Sequence, residues 1–306
     1  MMRALYGFLC GFLVFVTASA AHADGHFCSR QTPQNKAERA AQIACAEHQL
    51  WREPFINAQG RLLKIGPMEA ERDSLTDGSP AWQRVYHYWQ NSVGVQDLFR
   101  HTSIPNHPDS AVNTALTRVQ LVDTPWSGAF ISYVRRQAGF TQDEVKLADG
   151  HIRYIKPAFA NPQTYGFTPK NPLTTRMQTG DLLCYVREAH RVFGAQGFVD
   201  WMSEHSTDET SLKMHCDIVV GVFGKGKNHR AHTVGGNVVQ SVTMRELQLT
   251  WSGALAKPYF LPTTQTGSWL VDALSEDAPM CSLSTTRYCN MNRQDWVTLL
   301  RAKERI

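Results

Sequence analysis

Ser127 is the side chain most clearly placed for chemistry. It lies in Thr124-Pro125-Trp126-Ser127-Gly128-Ala129-Phe130-Ile131. Thr124 can cap a helix there, and Pro125 suits its first position, where a missing N–H costs nothing. Trp126, Phe130, Ile131, Val134 and Ala138 recur at helical spacing and Gly139 ends the run. The apolar side must pack inward, which holds Ser127 at the positive end of the helix dipole. A hydroxyl so held is a candidate nucleophile, and backbone N–H groups of the first turn can form part of an oxyanion hole. His190, His205, His229 and His232 lack paired ligand spacing, and the cysteine spacings fit no zinc pattern. Neither a metal nor a cofactor is expected.

Other elements must position that serine. Lys36 to Trp51 reads as an amphipathic helix stopped by Pro54, and a second opens at Ser79-Pro80 with Trp82, Val85, Tyr86 and Trp89 on one face. A proline-containing loop over 101–109 marks a boundary, and a short helix runs from about Ser110 to Val119. A helix around Asp149 to Phe159 carries His151 and Tyr154; these can approach the site, but packing is their simpler role. Gly180-Asp181 introduces a strand over Leu182–Val186, residues 187–213 form a polar excursion, and His215 to Phe223 is the strongest strand signal. A returning strand covers Ala231 to Val234, Gly235-Gly236-Asn237 interrupts, and Val242 to Leu249 continues. Helices followed by an antiparallel meander make an α+β pattern. The tail from Trp251 carries two cysteines and a closing helix from about Arg293.

The 306 residues suffice for a substantial core, and a charged share of 19% is that of an ordinary folded chain. A net charge of +4, with scattered basic residues, argues against nucleic acid as a partner. Arg3 followed by an apolar run from Ala4 to Val16 and Ala21-His22-Ala23 reads as a signal peptide cleaved after Ala23. The mature chain is therefore expected in the periplasm or outside the cell, without an integral membrane segment. Export makes disulfides the natural reading of the cysteines. Local spacing favours Cys28 with Cys45 and Cys281 with Cys289, which leaves Cys184 and Cys216.

A nucleophile opening a helix, a Gly-Asp before a strand, a His starting the next strand and a polar residue one strand later resemble the layout of CHAP-type and NlpC-type cell-wall hydrolases. The segments Pro-Trp-Ser-Gly-Ala-Phe-Ile-Ser, Gly-Asp-Leu-Leu-Cys, His-Cys-Asp-Ile-Val-Val and Val-Gly-Gly-Asn-Val resemble more closely the bacterial family called domain of unknown function 2272. That resemblance covers about Ser110 to Leu249. It implies a papain-like domain, with an N-terminal helix packed before a small antiparallel sheet, plus flanking helices. It also implies that Ser127 stands where the relatives carry cysteine, that His215 removes its proton, and that Asn237 orients the ring. Asp217 shares the face of His215 and is the alternative partner, whereas Cys216 points away. If Cys184 and Cys216 lie on adjacent strands, a cross-sheet disulfide joins them.

The expected division is a signal peptide over 1–23, a helical region over 24–109, the papain-like domain over 110–250 and a tail over 251–306. The expected activity is hydrolysis of an amide or ester, with peptidoglycan or a peptide-like molecule as substrate. The alternative is a non-catalytic periplasmic binding protein that retains the cleft.

Overall fold

A computed structural model describes residues 27–29, 32–71, 73–98, 110–188, 191–261, 263 and 290–303. The leader, the 101–109 boundary and the Cys281–Cys289 pairing lie outside the described residues.

The helices are α1 (Lys36–Leu50), α2 (Ala81–Gln90), the single turn α3 (Val95–Leu98), α4 (Ser110–Asp123), α5 (Ser127–Gln137), α6 (His151–Ala160) and α7 (Gly194–His205). The strands are β1 (Phe55–Ile56), β2 (Leu62–Lys64), β3 (Phe167–Lys170), β4 (Leu182–Val186), β5 (Met214–Phe223), β6 (Arg230–Val238), β7 (Ser241–Gln248) and β8 (Asp295–Ala302). They form one sheet in the order β2-β1-β7-β6-β5-β4-β8-β3. Every neighbouring pair is antiparallel except β1 with β7. The α+β expectation holds, but among the described residues the sheet is an eight-stranded mixed one rather than small and purely antiparallel.

α1 and α5 pack on the middle of the sheet. Cys184, Cys216, Ile218, Val220, Val234 and Met244 point into that helix-side core, while Leu183, Tyr185, Val219, Leu247, Trp296 and Leu299 fill a second core on the other face. The period-two alternation along β4 and β5 makes this division. The β4–β5 register sets Cys184 opposite Cys216, and the two form a disulfide; a second joins Cys28 to Cys45. The first meets the condition set for the remaining pair, adjacent strands, and the second agrees with local spacing.

Three expectations change. The closing helix is strand β8, inserted between β4 and β3, so the tail completes the sheet. Asp295-Trp296-Val297-Thr298-Leu299-Leu300 is buried without a break, and a short apolar run of that kind has no decisive period. The 187–213 excursion contains α7, anchored by Ala195, Phe198 and Met202 at helical spacing. Finally, β6 continues through Gly235-Gly236-Asn237, with a register shift between Gly235 and Val238 and Asn237 at φ 56°.

α5 begins at Ser127, with Trp126 in the capping position and no side-chain cap. Thr124 does not cap it; its Oγ1 accepts from Gln120 Nε2 at 2.9 Å. The helix start is held by packing instead. The fully buried Trp126 indole lies 5.5 Å from the Trp51 ring and 5.7 Å from that of Tyr88.

Candidate functional site

The first turn of α5 and the start of α6 are pressed together. A β-carbon on Gly128 would lie 2.0 Å from the Asp149 carbonyl oxygen, so only glycine permits the approach. One turn further on, Ser132 Oγ donates to Ala148 O at 2.8 Å and accepts from Ala148 N at 2.9 Å. These two pins deliver His151, the first residue of α6, to Ser127. Ser127 Oγ and His151 Nε2 are 2.7 Å apart, and His151 Nδ1 hydrogen-bonds the Tyr154 hydroxyl.

β5 supplies the second half. His215 and Asp217 stand two residues apart on one face, and His215 Nε2 donates to Asp217 Oδ1 at 2.9 Å. Asp217 Oδ2 accepts from Arg245 Nε at 3.1 Å and from Thr233 Oγ1 at 3.3 Å. Arg245 in turn donates through Nη1 to Met291 O at 2.7 Å. Gly235 faces this cluster, and a β-carbon there would fall 2.0 Å from Asp217 Oδ1 and 2.9 Å from His215 Nε2. The His215 ring lies between those of His151 and Tyr185, at centroid distances of 5.2 Å and 5.1 Å. Ser127, His151, His215, Asp217 and Arg245 thus form one connected buried series.

Burial pushes the imidazolium of His151 well below its ordinary pKa, and the nearby His215 and Arg187 act in the same direction. Burial also lowers His215, against the opposing pull of Asp217. For Asp217, burial favours the neutral acid, but the hydrogen bond from His215 and the charge of Arg245 outweigh it and hold the carboxyl below its usual value. Near neutral pH the site therefore contains two neutral imidazoles and one carboxylate compensated by a guanidinium.

The structure brings Ser127, His215 and Asp217 into one region, but Ser127 bonds His151 rather than the expected base His215, which bonds Asp217. Asn237 does not hold the ring: it sits half-buried on the β6 bulge and makes no hydrogen bond to His215. The alternative partner Asp217 takes that place, because Gly235 leaves room for its carboxylate beside the ring. His151, for which packing is the simpler expectation, is the residue that meets Ser127. Its signal is local, an Asp-Gly pair ahead of a helix whose first side chain is titratable, and nothing in the spacing connects it to Gly128. Asp181 is structural; it accepts Gln178 N and two bonds from Arg301. No group of side chains suited to a metal occurs among the described residues. Neither the cavity of about 360 Å³ beside Lys156 and Asp208 nor that of about 620 Å³ beside Phe193 and Phe260 is lined by Ser127.

The family described as "Uncharacterized protein conserved in bacteria (DUF2272)" matches residues 76–302. No curated protein and no solved structure matches.

Proposed function

The chain belongs to the DUF2272 family, and from that premise we propose that it is an exported hydrolase of papain-like design, with Ser127 attacking an amide or ester carbonyl. The observation that carries the proposal is the 2.7 Å contact between Ser127 Oγ and the imidazole of His151 at a helix N-terminus. A serine does not pre-ionise as a thiol can, so its proton must leave during attack. His151, neutral near pH 7, takes that proton on Nε2 while its Nδ1–H donates to Tyr154. His215, the base expected from the papain-like layout, acts as the second imidazole, and the carboxylate of Asp217 behind it offsets the charge that develops. N–H groups of the first turn of α5 receive the oxyanion. His151 then returns the proton to the leaving group, and water hydrolyses the resulting acyl-serine. This chemistry requires no cofactor.

Peptidoglycan stem peptides are the proposed substrate class. The reading is supported by the leader, by the resemblance to cell-wall hydrolases and by two disulfides, which persist in oxidising compartments. No helix among the described residues is long and apolar enough to cross a membrane. Mass analysis of purified muropeptides incubated with the protein tests the substrate: new cleaved stem peptides are expected, and an unchanged digest contradicts it.

A second reading, a non-catalytic binding protein, is favoured by one observation. Ser127, His151 and His215 are exposed by only 6%, 4% and 2%, so a carbonyl must find a way in.

A further inference from the structure

The β4–β5 ladder extends one bond beyond its strands, with Arg187 N donating to Lys213 O at 2.8 Å. Arg187 therefore stands opposite Lys213, just as Tyr185 stands opposite His215. Between these pairs, Val186 and Met214 point into the helix-side core. Alternation then places Arg187 and Lys213 on the face that carries Tyr185, His215 and Asp217. Both cations are exposed, at the open end of the strand pair.

Neither side chain forms an ion pair among the described residues. The neighbouring Glu188 spends Oε1 on the Lys213 backbone N–H, at 3.1 Å. The positive charge of Arg187 reaches inward, since it disfavours the charged forms of both His151 and His215. For a catalyst that must form an imidazolium, an unneutralised guanidinium at this position is a handicap. An anion bound on Arg187 would remove it at the moment the substrate arrives. A planar guanidinium is also the side chain best shaped for two-point recognition of a carboxylate.

We propose that Arg187, assisted by Lys213, forms a carboxylate-binding subsite beside Ser127, which makes the substrate an acyl compound bearing a carboxylate close to the bond that is cleaved. The inference rests on Ser127 as the reacting group for its role in catalysis, but the subsite itself can be measured without turnover.

The probe is glutarate, compared with its uncharged diamide. Glutarate should shift the imidazole NMR resonances of His215 and His151 saturably, whereas the diamide should not. Arg187→Gln should weaken that response about tenfold or more, as expected for loss of a charge-assisted contact, and Arg187→Lys should restore part of it. Lys213→Gln should produce a smaller loss. Equal shifts with acid and diamide, or an undiminished response in Arg187→Gln, would overturn the subsite. Labelling of Ser127 by a serine-directed probe, run alongside, reports separately on the hydrolase reading. A protein that binds glutarate through Arg187 but is never labelled keeps the subsite and loses the enzyme.

Discussion

Gly128 and Asp149 approach so closely that a β-carbon on the glycine would lie 2.0 Å from the aspartate's carbonyl oxygen. The contact is with backbone, which cannot swing aside as a side-chain tip can. Gly128→Ala should therefore push α6 away from α5 and break the Ser127–His151 bond. We expect a loss of about 2–3 kcal/mol in urea unfolding, typical of overpacking in a tight interior. Serine-directed labelling should fall together with stability. An alanine variant of native stability and reactivity would show that the approach does not position the site.

The two histidines have separable roles. His151→Ala should reduce the rate of Ser127 labelling by about 10²–10⁴, the usual share of a general base. His215→Ala should cost less, roughly tenfold, because it acts through the field around His151 rather than by contact. Urea midpoints distinguish either effect from unfolding. A greater loss in His215→Ala would transfer the proton to that residue, as the papain-like layout expected.

Much of this arrangement was legible in the sequence, for identifiable reasons. Ser127 was legible because Pro125, the apolar periodicity and Gly139 all mark the same helix. The shared face of His215 and Asp217 was legible because alternation along a strand is strict, whereas the Cys184–Cys216 pairing followed from their being the pair left over, on condition of adjacent strands. His151 was not, because its placement depends on a missing β-carbon at Gly128, which a sequence displays only as a glycine. Asn237 was misplaced for a related reason: the bulge after Gly235 turns it off the regular alternation. β8 was read as a helix because a run buried on both faces shows neither period.

Stability should peak near pH 6.5. His151 and His215 have folded pKa values below the ordinary 6.5, so below that pH the unfolded chain binds more protons and stability falls as pH drops. Glu69 acts in the opposite sense. The residue is 3% exposed, Oε2 has no hydrogen-bond partner among the described residues, and burial, opposed only by the nearby Trp126 indole, lifts its carboxyl to about 8. Between 4.5 and 8 the folded chain therefore binds the extra proton at Glu69, and stability falls as pH rises through this range. The two histidines outweigh it below 6.5 and fade above, where it dominates, with the burial-raised carboxyls of Asp181 and Asp295 acting in the same sense. Urea unfolding from pH 5 to 8.5 should show this peak, and Glu69→Gln should remove the alkaline decline, which is at most about 1.4 kcal/mol per pH unit. An unchanged decline in Glu69→Gln would assign it to another group.

The Cys184–Cys216 disulfide lies on the helix side of the sheet, while His215 and Asp217 occupy the other face. Replacing both cysteines with alanine should lower stability by about 2–4 kcal/mol yet leave Ser127 labelling within a few-fold at a permissive temperature. Peptide mapping without reduction should recover Cys184 linked to Cys216 and Cys28 linked to Cys45. Free thiols at 184 and 216 would contradict the β4–β5 register as well as the bond.

The central claim is that Ser127 is a nucleophile activated by a buried histidine. A fluorophosphonate should label the native protein at a single site, identified as Ser127 by peptide mass, with labelling lost in Ser127→Ala and depressed in His151→Ala. Labelling that is absent from the native protein, or that persists unchanged in Ser127→Ala, would contradict it.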